Sequence, residues 1–254
     1  FVNRTTAGSS LCVSPAAAVA IWDNALHGYT HNQDRADHNN SKVRALPGPV
    51  FHFRAKDHFT YQDTCQNRRA AQRTLDREMN LGKKCPFVLQ LKVGCRVMCT
   101  KRLSDLSPVA AGTFGIVTSL APSFNDRPPV VTVLFDGMVE SVTPQPLKFE
   151  TDIPGARIHR RQIPLTVAYA ITIHTLQGMQ IGTTDFIYHC DKAFANGQTL
   201  VGLSRHTVLG RFFLCCKHKL TWSRIDRDRD PRVQTFYREV RTIRLAWKKA
   251  ALRD

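Results

Sequence analysis

The feature that most restricts how this chain can fold is a change of period partway along it. From Leu91 to about Pro144, apolar residues recur at every second position in short runs broken by turn residues. LKVGCRVMCTK alternates, AAGTFGIVTSL alternates after its glycine, and VVTVLFDGMVESVTP alternates on both sides of Asp136-Gly137. Period-two runs belong on half-buried strands, and an Asp-Gly pair between two of them signals a two-residue hairpin. A block of roughly 60 residues built this way predicts a small antiparallel β-barrel.

On either side the pattern differs. SLCV followed by SPAAAVAIWDNALHG reads as strand, turn and helix. Ser14 suits the N-cap, Pro15 the first helical position, and Gly28 a left-handed stop. The stretch HGYTHNQDRADHNN, which holds His27, His31 and His38, is polar enough to read as a solvated loop rather than a ligand cluster. PGPVFHFRAKD reads as a short strand leaving a Pro-Gly turn, and residues 61–84 as a charged surface helix. Beyond Ile158, PLTVAYAITIH is continuously apolar, a buried strand or a buried helix that periodicity alone does not separate. DFIYHC and RFFLCC read as buried strands flanking a helical stretch near GQTLVGLSR. From Asp230 a helix is expected, opened by Pro231, with Val233, Tyr237, Val240 and Trp247 near helical spacing. That helix either docks on the parent domain or also touches phosphates with its basic face. The expected layout is an α/β domain formed by residues 1–90 and 161–254, interrupted by a barrel at 91–160.

Charge narrows the partners. Lys and Arg number 36 against 20 Asp and Glu, giving +16 and a pI near 9.9. Such an excess points to a phosphate-bearing partner, nucleic acid or a ribonucleoprotein before an anionic membrane. No run approaches the ~18 apolar residues of a membrane span, so a soluble protein without a membrane partner is expected. The eight cysteines include no C-x-x-C pair. Cys95 and Cys99 come nearest to zinc-ligand spacing, but they lie in an alternating segment where buried thiols are common. A reduced interior without a metal site is the expectation.

Two segments are recognisable. RQIPLTVAYAITIHTLQGMQI and GQTLVGLSRHTVLGRFFL resemble helicase motifs V and VI of the Pif-type and RecD-like group in superfamily 1 (1B). The family texts run close to Q-I-P-L-x-x-A-W-A-x-T-I-H-K-S-Q-G and G-Q-x-Y-V-A-L-S-R. LCVSPAAAVAIWDNAL is similar to the strand and helix of motif IV, and PGPVFHFRAKD to the segment after it. LKVGCRVMCTKRL, AAGTFGIV and FDGMVESVTP resemble the small barrel inserted in the family's second RecA-like domain. DPRVQTFYREV resembles its closing helix. The ordered set covers nearly the whole chain. It implies an α/β fold: a RecA-like parallel-sheet domain interrupted by a small antiparallel β-barrel and closed by a C-terminal helix.

The resemblance also implies roles. In such motors ATP, with Mg, sits between two RecA-like domains. Arg205 matches the motif VI arginine that reaches the γ-phosphate as an arginine finger. Gln177 and Gly178 match the end of motif V, where an amide and a tight turn face the nucleotide or the strand. Gln198 matches the glutamine before motif VI. Thr172, His174 and Thr175 match positions against single-stranded DNA or RNA. The chain departs from the family at Thr175-Leu176 (usually Lys-Ser), at Thr199-Leu200 where tyrosine is frequent, and at Gly202 where alanine is usual. It holds no G-x-x-x-x-G-K-[ST] loop and no Walker B carboxylate pair, so ATP and Mg are expected to be bound mainly by an upstream RecA-like domain. The implied activity is that of the C-terminal motor half of a 5′-3′ DNA helicase, intracellular, in nucleus or mitochondrion, with DNA repair and telomere maintenance as roles. The alternative is a degenerate, inactive helicase-like scaffold in an RNA–protein complex.

Overall fold

The computed structural model describes residues 2–3, 5–6, 9–10, 15–61, 86–125, 127–149, 156–179, 181, 184–193, 197–215 and 235. The chain divides into two compact units, one from Phe1–Ala36 with Ala170–Asp254 and one from Asp37–Tyr169.

In chain order the first unit begins with β1 (Val2–Asn3), β2 (Thr5–Thr6), β3 (Ser9–Ser10), α1 (Pro15–Asn24), β4 (Leu26–Tyr29) and the start of α2 (Asn32–Ala45). It resumes with β15 (Ala170–Thr172), α3 (Ile173–Leu176), β16 (Phe186–His189), α4 (Gln198–Leu203) and β17 (Phe212–Cys215). The sheet order is β1-β17-β16-β4-β15, with β17, β16, β4 and β15 parallel and β1 an antiparallel edge. Parallel strands covered on both faces read as unbroken apolar runs, and Phe186, Ile187 and Tyr188 are fully buried. On one face Ala25, Ile187 and Phe213 pack with Ile21 and Trp22 of α1. His27 is buried on this face too, its Nε2–H donating to the Trp22 carbonyl at 2.9 Å and its Nδ1 lying 2.9 Å from His189 Nε2.

Two expectations fail in this unit. Gly28 does not close a helix: α1 stops at Asn24 and Gly28 lies inside β4. A Cβ there would stand 2.5 Å from Phe186 Cζ and 3.2 Å from Ile173 Cδ1, so the ring needs the space. Nor is the polar stretch after it a loop, since α2 runs through it for 14 residues. Asp34 in its first turn and Lys42 and Arg44 in its last complement the helix dipole. Only Asn39 and Val43, four apart, are buried, a stripe too narrow for periodicity to reveal.

The second unit holds the alternating block. Its strands are β5 (Phe51–Arg54), β6 (Lys56–Tyr61), β7 (Val88–Leu91), β8 (Arg96–Cys99), β9 (Phe114–Ala121), β10 (Val130–Phe135), β11 (Met138–Val142), β12 (Gln145–Phe149), β13 (Ala156–Gln162) and β14 (Leu165–Val167). All pair antiparallel, in sheets ordered β11-β10-β9-β8-β14, β12-β13-β6 and β5-β7. Phe53, Leu91, Val97, Val133, Phe135 and Leu165 belong to one core. Among the described residues the strands form separate sheets, and no pairing closes them into a single ring. The expected hairpin is present, with Phe135 opposite Met138 and φ of 41° and 87° at Asp136 and Gly137. The unit reaches beyond residues 91–160 because β5 pairs with β7, β14 pairs with β8, and Val43 of α2 joins the core. The continuous apolar run therefore splits, β14 going to this unit and β15 to the other.

Cys95 and Cys99 are buried thiols of this core, and burial pushes Cys95 up to about 11. Cys190, read as reduced, is disulfide-bonded. The Ser14 cap, the helix expected at 61–84 beyond Tyr61, and the C-terminal helix apart from Thr235 lie outside the described residues. Among the described residues no helix is long and apolar enough to cross a membrane.

Candidate functional site

The motif V residues occupy the exit of β15 in the first unit. Thr172 ends the strand, buried, with extended backbone (φ −87°, ψ 151°), and the single turn of α3 comes next. Its Oγ1 lies 2.9 Å from Thr175 Oγ1, one hydroxyl donating to the other, which ties the turn to the strand end. Ile173 and Leu176 are buried and anchor α3. His174 and Gln177 are exposed, and the Gln177 N–H donates to the His174 carbonyl at 3.3 Å. Gly178 takes φ +85° with open space where a Cβ would stand, the geometry of a tight exposed turn.

The motif VI residues lie on and after α4. Gly197 at φ +75° opens it, and Gln198 and Thr199 are buried at its start. Gly202 faces Tyr188: a Cβ would come within 2.8 Å of Cε1 and Cζ of that buried ring. An alanine at this position would therefore require the Tyr188 ring to move. Leu200, on the side away from the core, is 46% exposed. Arg205 comes after the helix, half-buried. Its Nε donates to the Val201 carbonyl and to Ser204 Oγ, each at 3.2 Å, and Nη2 donates to Ser204 Oγ at 2.8 Å.

The backbone joins the two motifs. The Ile181 N–H donates to the Arg205 carbonyl at 2.8 Å, and the Thr207 N–H donates to the Ile181 carbonyl at 3.1 Å. This is a parallel bridge between Ile181 and His206. His206 is fixed in turn, its Nδ1 accepting from the Val208 N–H at 3.0 Å and its Nε2–H donating to the Thr184 carbonyl at 2.9 Å. α3 also packs against α4. All seven residues singled out from the sequence thus lie in one unit. Thr172, His174, Thr175, Gln177 and Gly178 cluster around α3, and Gln198 and Arg205 lie at the start of α4 and just after it. Ile181, Ser204 and His206 escaped the sequence reading, because backbone pairing and a neutral hydroxyl partner leave no mark in a motif.

These residues can offer a nucleotide or a strand one fixed cation, amide groups and hydroxyls. Among the described residues no group of three His, Cys, Asp or Glu is placed to hold a metal ion. The set suits phosphate oxygens rather than a cation.

No protein-family model matches the chain. It is 30% identical over 214 residues to the ATP-dependent DNA helicase PIF1 of Homo sapiens, matching 84% of this chain and 30% of that protein. The chain spans about a quarter of the length of other PIF1 relatives, as the 25% of the Rattus norvegicus protein shows. The Pif1 helicase of Candida albicans superposes with a TM-score of 0.62 at 22% identity, over 91% of this chain and 55% of that one. The Bacteroides Pif1 helicase in complex with ADP-AlF3 and ssDNA superposes with a TM-score of 0.56 at 24% identity, over 85% and 45%. At such identities the structural likeness establishes the fold.

Proposed function

The chain belongs to the Pif1-type helicases, and from that premise we propose that it is the C-terminal motor half of an ATP-dependent DNA helicase moving 5′ to 3′ on a single strand. ATP and Mg would be bound mainly by an upstream RecA-like domain, and hydrolysis would supply the energy for movement. Arg205 would act as the arginine finger, its planar fork meeting γ-phosphate oxygens. Its side chain rests on the neutral Ser204 hydroxyl and a backbone carbonyl. Exchanging those neutral acceptors for phosphate oxygens gives the guanidinium anionic partners, which pair more strongly with it. Thr172, His174 and Thr175 would face the strand, Gln177 and Gly178 the strand or the nucleotide, and Gln198 would orient the nucleotide cleft.

The observation that carries this reading is the bridge between Ile181 and the Arg205–Thr207 segment. It makes the end of motif V and the finger one backbone-linked body. A displacement at Arg205 on hydrolysis is then passed to the residues beside the strand, as a motor requires. The test fuses the chain to a first RecA-like domain bearing a G-x-x-x-x-G-K-[ST] loop and measures ATP turnover with single-stranded DNA. Arg205→Ala should slow turnover by ~10³-fold or more, about 4 kcal/mol of transition-state stabilisation, with strand binding kept. Arg205→Lys should rescue poorly, because an ammonium lacks the fork. Equal rates for wild type and Arg205→Ala would sink the finger assignment.

A second reading rests on Thr175-Leu176. Leu176 is fully buried and the Thr175 hydroxyl is turned to Thr172, so these positions present no cation to a strand. They suit a retired motor kept as a scaffold in an RNA–protein complex. Absence of turnover in the fused wild type would favour it.

A further inference from the structure

A second candidate surface lies on the second unit and uses none of the residues above. In the sheet β12-β13-β6, Lys56 stands opposite Arg161 and Arg161 opposite Pro146. In the same register His58, His159 and Lys148 form one row, and Thr60 stands opposite Arg157. Directly opposed residues of antiparallel strands share a face, and the next residue along turns to the other. Burial agrees: Arg160 and Gln162 are buried, whereas Lys56, His58, Thr60, Arg161 and Pro146 are exposed. Among the described side chains the outer face of these strands therefore carries Lys56, His58, His159 and Arg161 beside Thr60 and Pro146, with no carboxylate. Lys101 adds to it, its Nζ donating to the Pro146 carbonyl at 3.1 Å.

Like charges opposed across strands are destabilising. Lysines on edge strands do serve to block edge-to-edge pairing. That accounts for β6 and β12, which are the edges of this sheet. It does not account for His159 and Arg161 on the central strand β13. The unfavourable arrangement becomes favourable once a polyanion covers it.

We propose that this face binds the phosphate backbone of double-stranded nucleic acid. Same-face positions repeat every ~6.8 Å along a strand, twice the ~3.4 Å axial rise between phosphates of one duplex strand. Sites for single strands combine cations with aromatic rings on which bases stack. The rings on the outward positions named are the imidazoles of His58 and His159, and none of those positions is Phe, Tyr or Trp. A cation lattice without Phe, Tyr or Trp platforms suits a rigid duplex, read through its backbone and without sequence preference.

The inference does not depend on the helicase reading, and a failure of the Arg205 experiment leaves its test intact. Anisotropy of a labelled, blunt DNA duplex of mixed sequence, and of its single strand, is followed with salt for the whole chain and for Lys56→Gln/Arg161→Gln. The double variant should lower the slope of log affinity against log salt by about 1.8, at ~0.9 per lost phosphate contact. At about 0.15 M salt that is roughly thirtyfold weaker duplex binding, with single-strand binding little changed. Lys101→Gln should give half that change in slope. Arg44→Gln/Arg127→Gln removes the same charge from exposed positions off this sheet and should leave the slope as in wild type. An unchanged slope in Lys56→Gln/Arg161→Gln overturns the proposal. So does equal loss of single-strand binding, which would make the face a single-strand track, or an equal effect in the charge-matched control, which would reduce it to net charge.

Discussion

Removing the Asp57 carboxylate should destabilise the second unit more than any loss of one surface charge. Arg160 lies on the inner face of β13, its side chain 1% exposed, and Asp57 on β6 is 9% exposed. The pair is bidentate, with Nε to Oδ1 and Nη2 to Oδ2 both at 2.7 Å, and the guanidinium also lies 5.4 Å from the Phe87 ring centroid. Two unit charges about 4 Å apart at an effective dielectric near 20 interact by about 4 kcal/mol. Breaking a buried pair by removing one partner typically costs about 3–5 kcal/mol, because the remaining charge is left desolvated. Asp57→Ala should therefore cost about 4 kcal/mol, and with a urea slope of about 2 kcal/mol/M its midpoint should fall by about 2 M. Arg160→Met should cost less, since the more exposed Asp57 can recruit water. Asp57→Leu/Arg160→Met should recover most of the loss, because well-packed apolar replacement of a buried pair is often neutral. The assay is urea unfolding by far-ultraviolet circular dichroism of the four proteins. A midpoint shift for Asp57→Ala below about 0.3 M, or a double variant no better than Asp57→Ala, would refute the argument.

Two shorter predictions bear on the site and on acid stability. Thr175→Lys, which restores the family's cation beside α3, should tighten single-strand binding about fourfold at about 0.15 M salt and steepen the salt slope by about 0.7, read by anisotropy. An unchanged slope would show that this position does not meet the strand. His38 on α2 is lowered from 6.5 to about 4, first by burial and then by Lys42. A basic group depressed on folding contributes stability that is full above its unfolded value and is lost as pH falls from 6.5 through about 4. His38→Gln should flatten the unfolding midpoint over that window, and an equally steep decline in the variant would place the acid sensitivity elsewhere.

Local pattern already determined a good part of this protein. Period-two alternation around Asp136-Gly137 specified the hairpin of β10 and β11, because a two-residue turn and a one-sided core are both properties of neighbouring residues. The unbroken apolar runs at Phe186 and Phe212 specified central parallel strands for a similar reason. The ordered motifs carried the family. Other features depend on partners remote in sequence. Whether Gly28 ends a helix or makes room in a strand is settled by Phe186 and Ile173. The polar helix α2 is held by Val43 reaching a core whose other members come mainly from β-strands. Arg160 and Arg161 are adjacent in sequence. Only pairing with β6 sends one inward to Asp57 and the other outward to a basic face. The bond from Ile181 to Arg205 likewise exists only once α3 and α4 are brought together. A sequence records each residue's own preference, whereas burial, register and hydrogen-bond partner belong to pairs, and those pairs form only when the sheets assemble.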